Sequence, residues 1–242
     1  MLNPESDDAG REATLVLFIR HAEQSTMREV DPPLSERGRA QAALLAQRLS
    51  SLPISAVVAS PLLRARETAG SLADLLGLPV EVMEDLHEAR SSHEGHRHVF
   101  TDTPAAAMEP QVDDYVGPAM AAIEVLPRFE WGRDGFTETA VEIRERMLRA
   151  VDGLVERYPG GIVACFSHGG AINCVTGAYA GITPDIWFVP WHTGVSGLYA
   201  KGSTRTLLFV NDSSHLASTE DALSIVASTM SLGAIDREEA TS

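Results

Sequence analysis

The sequence has few cysteines, few basic residues and no long apolar run. Its two cysteines, Cys165 and Cys174, lie in apolar segments, so we predict packing thiols and keep a disulfide as the alternative. The chain has 19 lysines and arginines against 34 aspartates and glutamates, a formal net charge of -15. This excess of acid argues against a nucleic-acid groove and against binding to anionic membrane surfaces.

The N-terminal segment lacks the features of an export signal. Residues 1–13 are polar and acidic, without the basic start and the apolar core of a signal peptide. No apolar run approaches the length of a membrane span. We therefore expect a cytoplasmic protein without a membrane partner.

What the sequence does contain is an alternation of strand-like and helix-like segments. Apolar residues make up 44% of its 242 residues and charged residues 22%, which is typical of a globular protein. The predicted strands are 15–20, 54–59, 79–83, 162–166, 194–200 and 205–210. The predicted helices are those with N-caps at Ser35, Ser60 and Thr137, and that over 171–178.

This alternation predicts an α/β fold. We expect a three-layer sandwich, with a mostly parallel sheet and helices on both of its faces. The last two predicted strands are joined by the short turn 201–203, which predicts one antiparallel edge strand.

We expect three regions along the chain. A flexible leader covers residues 1–13, a single domain covers 14–212, and a C-terminal tail covers 213–242. Within the domain, the segment at about 84–134 has little apolar periodicity and is predicted to form a cap or lid. Weak helical patterns are found at 119–125 and at 222–230.

Basic and imidazole side chains follow three of the predicted strands. Arg20 and His21 end the first strand, and His168 follows the fourth. Arg64 lies in the first turn of the helix after the second strand. The ends of parallel strands meet at one edge of the sheet, so we expect these side chains to converge. For the single residues, two alternative interpretations stay open. Arg64 could form a surface ion pair, and His168 could be an ordinary histidine at the end of a strand.

The chemistry of these groups suits an oxyanion. Arginine presents a fork of donors that matches phosphate oxygens, and histidine is the side chain best suited to act as a nucleophile or acid–base group near neutral pH. Helix N-termini after Ser60 and after His168 would add backbone donors. Gly169 and Gly170 would let the backbone approach a ligand closely.

Four motifs occur in order along the chain. They are Arg20-His21-Ala22-Glu23, Pro33-Leu34-Ser35-Glu36-Arg37-Gly38, Ser60-Pro61-Leu62-Leu63-Arg64-Ala65 with Thr68-Ala69, and Ser167-His168-Gly169-Gly170. As an ordered set they resemble the histidine phosphatase superfamily, the phosphoglycerate-mutase-like proteins, over roughly residues 14–212.

The resemblance implies a role for each matching residue. His21 would be the nucleophile and would be transiently phosphorylated. The phosphoryl oxygens would be held by Arg20, Arg64, His168 and Gly169. Because phosphoryl transfer needs mainly positioning and neutralisation of charge on those oxygens, two arginines would suffice without a metal or another cofactor.

The resemblance also places a catalytic glutamate a few residues after the third strand. The sequence Leu86-His87-Glu88 matches that context, so Glu88 would protonate the leaving oxygen and later deprotonate the attacking water. A solvated loop acid is the alternative. Glu94 would line the mouth of the site. The spacing of His93, His96 and His98 is not that of a known zinc pattern, so we expect no metal site there.

The chain departs from the family pattern at three places. Ala22 stands where glycine is usual, and no asparagine occurs in the following loop at the position of a common phosphate contact. Gly135 and the segment 137–144 fit the helix-opening pattern of the family, but Phe136 stands where a glutamate is expected. These departures affect the choice of substrate more than the basic chemistry.

Three functions stay open at this point. The first is a metal-independent phosphomonoesterase acting on a small phosphorylated metabolite. The second is a phosphoglycerate mutase, which must hold a carboxylate as well, and in the segment 84–103 only Arg90 and Arg97 are basic. The third is a phospho-ligand-binding protein without turnover, against which the complete motif set argues. The substrate stays open, as does the oligomeric state, with a homodimer as one option.

Overall fold

The computed structural model describes residues 12–26, 29, 31–90 and 137–216. Nearly all of the predicted leader, most of the predicted cap and the tail from residue 217 lie outside the described residues. The two weak helical patterns, Glu94, Arg97 and the three histidines between 93 and 98 also lie outside them. The boundaries of the three regions therefore stay predictions.

The described residues form a six-stranded sheet with the strand order β3-β2-β4-β1-β5-β6. Its strands are β1 (Thr14–Arg20), β2 (Ile54–Ala59), β3 (Val80–Val82), β4 (Ile162–Ser167), β5 (Val195–Lys201) and β6 (Thr204–Asp212). The first four run parallel, β5 runs antiparallel to β1, and β6 runs antiparallel to β5. The predicted antiparallel edge is confirmed, and it is formed by two strands.

Four longer helices cover both faces of the sheet. They are α1 (Glu36–Leu49), α2 (Leu63–Leu76), α3 (Ala140–Arg157) and α4 (Gly169–Ala180). Helices α1 and α2 pack on one face, against residues such as Ile19 and Phe166. Helices α3 and α4 pack on the other face, against Phe18 and Cys165. Successive side chains along each strand therefore pack into two different cores, one on each face of the sheet. The three-layer prediction is confirmed.

Two predicted helix ends are confirmed and two N-caps are wrong. Ser35 caps α1 by accepting a hydrogen bond from the N–H of Gly38, and Gly77 ends α2 in the left-handed conformation. Helix α2 begins with Leu62 as its N-cap rather than with Ser60. The Ser60 hydroxyl instead lies 2.7 Å from Nε2 of His168, a partner distant in sequence.

Helix α3 begins two residues later than predicted. Thr139, not Thr137, is its N-cap, and Thr139 forms a reciprocal capping box with Glu142. The residue directly before the cap is therefore Glu138 rather than Phe136, so a glutamate precedes this helix. Glu138 is buried.

The strand ends form the crevice that the parallel sheet predicts. Arg20 of β1 pairs with Ser167 of β4, and Ala59 of β2 pairs with Phe166, so the three strands end level with one another. The helices that follow β1 and β2 pack on one face of the sheet, and the helix that follows β4 packs on the other face. Such a reversal opens a crevice beside the ends of the strands, where α/β sheets bind ligands.

Both cysteines are buried thiols, as predicted. Neither forms a disulfide, and burial raises the pKa of Cys165 and of Cys174 to about 12. Across the described segments, no helix has the length and apolarity needed to cross a bilayer.

Gly38 provides a test of this packing. A Cβ at this position would lie 2.0 Å from the backbone carbonyl oxygen of Glu23, in the segment that follows His21. Because a backbone group cannot move aside cheaply, we expect Gly38→Ala to lower the free energy of unfolding by about 1–3 kcal/mol in urea denaturation.

Gly70→Ala is the matched control, because Gly70 lies in α2 and a Cβ added there would meet nothing within 4 Å. That substitution should stabilise the protein by about 0.5–1 kcal/mol. Equal effects of the two substitutions would contradict the close approach at Gly38.

Candidate active site

The crevice brings together residues from three strand ends. The ring centroids of His21 and His168 lie 5.1 Å apart, and Nε of Arg64 lies 3.2 Å from Nε2 of His21. Arg20 precedes His21 and donates from Nη1 to the carbonyl oxygen of Pro190 at 2.6 Å. The predicted convergence of Arg20, His21, Arg64 and His168 is therefore seen in the fold.

The hydrogen bonds of His21 define which of its nitrogens holds the lone pair. Arginine has no acceptor, so Arg64 Nε–H must donate to Nε2 of His21. The proton of a neutral ring is then on Nδ1, which donates to the carbonyl oxygen of Ala22 at 2.8 Å. This network leaves Nε2 as a lone-pair nitrogen in the crevice.

Burial keeps both of these imidazoles neutral. His21 is 3% exposed and His168 is fully buried. Burial lowers the pKa of His21 well below its usual value, and the charges of Arg64 and Arg20 add to this effect. Burial, then Arg64 and His21, similarly lower the pKa of His168. Near pH 7 both rings are therefore uncharged.

Arg64 lies in the first turn of α2 and is largely buried. It is 6% exposed, and its Nη1 lies 3.6 Å from a carboxylate oxygen of Asp31. The hydroxyl of Thr68 donates to the carbonyl oxygen of Arg64 at 2.6 Å and accepts from the N–H of Ala22 at 2.9 Å. Burial lowers the pKa of Arg64, while the charges of Glu88 and Asp31 oppose that shift.

His168 is fixed by the residue that sequence reasoning assigned to a helix cap. Its Nε2 lies 2.7 Å from the hydroxyl of Ser60. Its Nδ1 is buried and has no hydrogen-bond partner among the residues that the structure describes. A buried ring nitrogen without a partner is costly unless a ligand supplies one.

Gly169 follows His168 in a place with little room for a side chain. A Cβ there would lie 3.0 Å from the ring of Pro190 and 3.6 Å from Nε of Arg20. The backbone of Gly169 therefore lies against Arg20 at the start of α4, as expected for a close approach.

Glu88 binds the N-terminus of α4. Its two carboxylate oxygens accept from the N–H groups of Gly170 at 3.2 Å and Ala171 at 3.1 Å. One of them also accepts from Ala89 at 3.0 Å. Two of the donors that we expected to be open to a phosphate are thus bound by this carboxylate. Glu88 is also close enough for its charge to act on Arg64.

A buried ion pair holds the segment that carries Glu88. Arg146 donates from Nε and Nη2 to the carboxylate of Glu138 at 2.7 and 2.9 Å. It also donates to the carbonyl oxygens of Asp85 at 2.8 Å and Glu88 at 3.2 Å. Burial would raise the pKa of Glu138, but the hydrogen bond and charge of Arg146 lower it overall. Sequence reasoning missed this pair because it started α3 two residues early.

A third imidazole, His192, lies beside the two predicted ones. Its ring centroid is 5.8 Å from that of His21. It belongs to none of the four motifs, and the segment 181–194 has no periodic pattern. One signal could have located it, because a residue just before an antiparallel strand next to β1 must lie near the end of β1.

Two asparagines hold the segment that carries His192. Asn173 accepts from the N–H groups of Trp187 and Phe188 at 2.9 and 3.2 Å, and donates to the carbonyl oxygen of Phe188 at 3.1 Å. Asn211 accepts from the N–H of Trp191 and donates to the carbonyl oxygen of Val189, both at 2.8 Å. In this segment, hydrogen bonds from side chains to the backbone replace the regular backbone–backbone hydrogen bonds of a helix or sheet.

Of the other candidate residues, Arg90 is among the described residues, whereas Glu94 and Arg97 lie outside them. Arg90 forms a surface ion pair with Glu84 at 3.1 Å. Among the residues that the structure describes, no group of three or more histidines, cysteines or acids is arranged to hold a metal ion.

Comparison with known proteins gives a consistent picture. The model of the histidine phosphatase superfamily (branch 1) matches residues 16–213. A probable phosphoglycerate mutase, GpmB of Yersinia enterocolitica, is 29% identical over 175 residues, which cover 70% of this chain and 76% of that protein.

Solved structures match the fold over most of the chain. Bacillus stearothermophilus YhfR matches with a TM-score of 0.66 and 22% identity, over 84% of this chain and 99% of its own. The mycobacterial glucosyl-3-phosphoglycerate phosphatase Rv2419c matches with a TM-score of 0.62 and 24% identity, over 82% of this chain and 99% of its own.

The neutral imidazoles make stability depend on pH. An unfolded histidine binds a proton below a pKa of about 6.5, whereas the buried histidines of the folded chain do not. The unfolded state therefore binds more protons as the pH falls, and the free energy of unfolding should decrease between pH 7.5 and pH 5. Each such histidine contributes up to about 2 kcal/mol to this decrease.

His168→Gln tests this expectation, because glutamine cannot take up the proton. Urea denaturation at pH 7.5 and pH 5 should show a pH dependence that is shallower than that of the wild type by up to about 2 kcal/mol. This window lies above the range in which most carboxylates titrate. An unchanged dependence would contradict a neutral, buried His168.

Proposed function

Because the chain belongs to the histidine phosphatase superfamily, we propose that it is a phosphomonoester hydrolase that works through a phosphohistidine at His21. Members of this superfamily are phosphatases or mutases that transfer phosphoryl groups. The proposed substrate is a small phosphorylated metabolite, and the proposed reaction needs no metal ion. The more specific part of the proposal is that the phosphoryl group is transferred to water, as in a phosphatase, and not back to the substrate, as in a mutase.

The observation that carries this proposal is the pair of hydrogen bonds to His21 that assigns the lone pair to its Nε2. Arg64 donates to that nitrogen at 3.2 Å, and Ala22 accepts the proton of the other ring nitrogen at 2.8 Å. A neutral imidazole whose tautomer is fixed in this way can attack phosphorus directly. Arg64, which donates to this nitrogen, is also placed to donate to the oxygens of a phosphoryl group that binds there.

Arg20, Arg64, His168 and Gly169 are the proposed ligands of those oxygens. The two arginines supply fixed positive charge inside a chain whose formal net charge is -15. Their charge stabilises the transition state most when it acts in a buried, water-poor crevice. The buried Nδ1 of His168, which has no partner among the described residues, supports a ligand at this place.

Glu88 is the proposed acid and base. In the first step it would protonate the leaving alkoxide as the O–P bond breaks and the N–P bond forms. In the second step it would take a proton from the water that attacks the phosphohistidine. Its position at the start of α4, where it accepts from the N–H groups of Gly170 and Ala171, supports this role.

Phosphoglycerate mutase is the alternative function, and the name of the Yersinia relative supports it. The name of the mycobacterial phosphatase points to hydrolysis, although this likeness shows the fold alone. A mutase must hold the carboxylate of its substrate, and Arg90 is paired with Glu84 at the surface. We therefore favour hydrolysis.

The test is an assay with two substrates in the presence of a chelator. We expect the wild type to release inorganic phosphate from an aryl phosphate, and His21→Ala to show no release above background while keeping its circular dichroism spectrum. A His21→Ala rate close to that of the wild type would contradict the nucleophile.

The second substrate, 3-phosphoglycerate, separates the alternatives. Its isomerisation without phosphate release would favour the mutase. Failure with both substrates, together with binding of inorganic phosphate, would favour a binding protein that has lost turnover.

Glu88→Gln tests the acid. An alkyl leaving group needs a proton far more than an aryl one, so kcat/KM for glycerol phosphate should fall by about 100-fold or more. For the aryl phosphate, the fall in kcat/KM should be smaller than this by a factor of at least about 10. The ratio kcat/KM is the appropriate measure because it reports the step in which the leaving group departs.

Glu84→Gln is the matched control, since Glu84 lies in the same segment and its side chain is 67% exposed. This variant should keep both values of kcat/KM within about twofold. Equal losses on both substrates in Glu88→Gln would mean that another group protonates the leaving oxygen.

A further inference from the structure

His192 lies almost as close to the proposed nucleophile as His168 does. The ring centroid of His21 is 5.8 Å from that of His192 and 5.1 Å from that of His168. The two flanking rings are tilted to His21 by similar angles, 48° and 55°. His21 thus has an imidazole neighbour from the loop before β5 as well as from the end of β4.

The same charged groups act on both flanking imidazoles. The charges of Arg20 and Arg64 act on both His168 and His192. Arg37 acts in addition on His192, and burial together with these groups lowers the pKa of His192 well below its usual value. Both rings therefore lie in the hollow around His21 on which the charges of Arg20 and Arg64 act, which is where an oxyanion would bind.

The backbone on both sides of His192 is bound to Arg20. The carbonyl oxygen of Pro190 accepts from Nη1 of Arg20 at 2.6 Å, and the N–H of Thr193 donates to the carbonyl oxygen of Arg20 at 3.0 Å. The position of His192 is consequently fixed relative to the Arg20-His21 pair, with little loop freedom between them.

Thr193 has an uncommon backbone conformation for its residue type. Its φ is +57°, in the left-handed region that β-branched residues seldom adopt. Its hydroxyl lies 2.8 Å from Nε2 of His215, which holds the strained turn in place. Strain that the surrounding structure maintains is often found next to a functional group.

We propose that His192 is a further ligand of the phosphoryl group, donating an imidazole N–H to one of its oxygens beside His168. This inference rests on the proposed function, because it takes the hollow around His21 to be the phosphoryl site. A neutral imidazole adds a donor there without adding another positive charge next to two arginines. It would stabilise charge that develops on the oxygens as the group is transferred.

The test compares two variants of His192 by direct binding of inorganic phosphate and of orthovanadate in calorimetry. His192→Leu removes the donor, and we expect the Kd for both anions to rise by about 10- to 100-fold, as for the loss of a hydrogen bond to a charged group. His192→Gln keeps an N–H donor and should stay within about fivefold of the wild type.

His215→Asn is the matched control, because it disturbs Thr193 and the same loop without placing a changed group in the hollow. Its Kd for phosphate should stay within about twofold of the wild type. A wild-type Kd in His192→Leu would overturn the proposal, and so would a loss in His215→Asn as large as that in His192→Leu.

A second measurement covers the case in which His192→Leu does not fold. Phosphate titration of wild-type protein with 15N-labelled imidazoles should shift the ring resonances of His192, and unshifted resonances at saturation would overturn the proposal. Binding is measured apart from turnover. A chain that fails to hydrolyse phosphate esters, but whose phosphate affinity depends on His192, would refute the proposed function and support this inference.

Discussion

The lone pair on Nε2 of His21 is the feature on which the rest of the site depends. A histidine buried beside two arginines cannot carry a proton cheaply, because burial and both charges disfavour the imidazolium. The ring therefore stays neutral, with its other nitrogen donating to the backbone of Ala22. The same concentration of positive charge that keeps a proton off this ring is complementary to a dianionic phosphoryl group.

Two segments of the site lie outside the helices and strands, and hydrogen bonds from side chains hold them in place. The buried pair of Glu138 and Arg146 holds the segment that carries Glu88. Asn173 and Asn211 hold the segment that carries His192. Buried polar groups of this kind are stable only when each partner is satisfied, so they fix one geometry rather than several. Such rigidity suits a reaction in which catalysis is mainly positioning.

The sequence allowed the layers, the parallel strands and the convergence of Arg20, His21, Arg64 and His168 to be predicted, because apolar periodicity and strand ends are local signals. The cap of α3 was misplaced because two threonines precede the helix, and only Thr139 has a glutamate three residues later, the local signature of a capping box. The hydroxyl of Ser60 and the carboxylate of Glu88 have partners far along the chain. His192 lies in a loop without periodicity, where local patterns carry no information about contacts.

The most direct test of the central idea is to trap the phosphorylated protein. Wild-type protein is mixed with an aryl phosphate, quenched at alkaline pH, where phosphohistidine survives, and digested for mass spectrometry. We expect one acid-labile phosphoryl group, located on the ring of His21 and formed at a rate that matches or exceeds turnover. A phosphoryl group on another residue, or steady turnover without any phosphorylated His21, would contradict it.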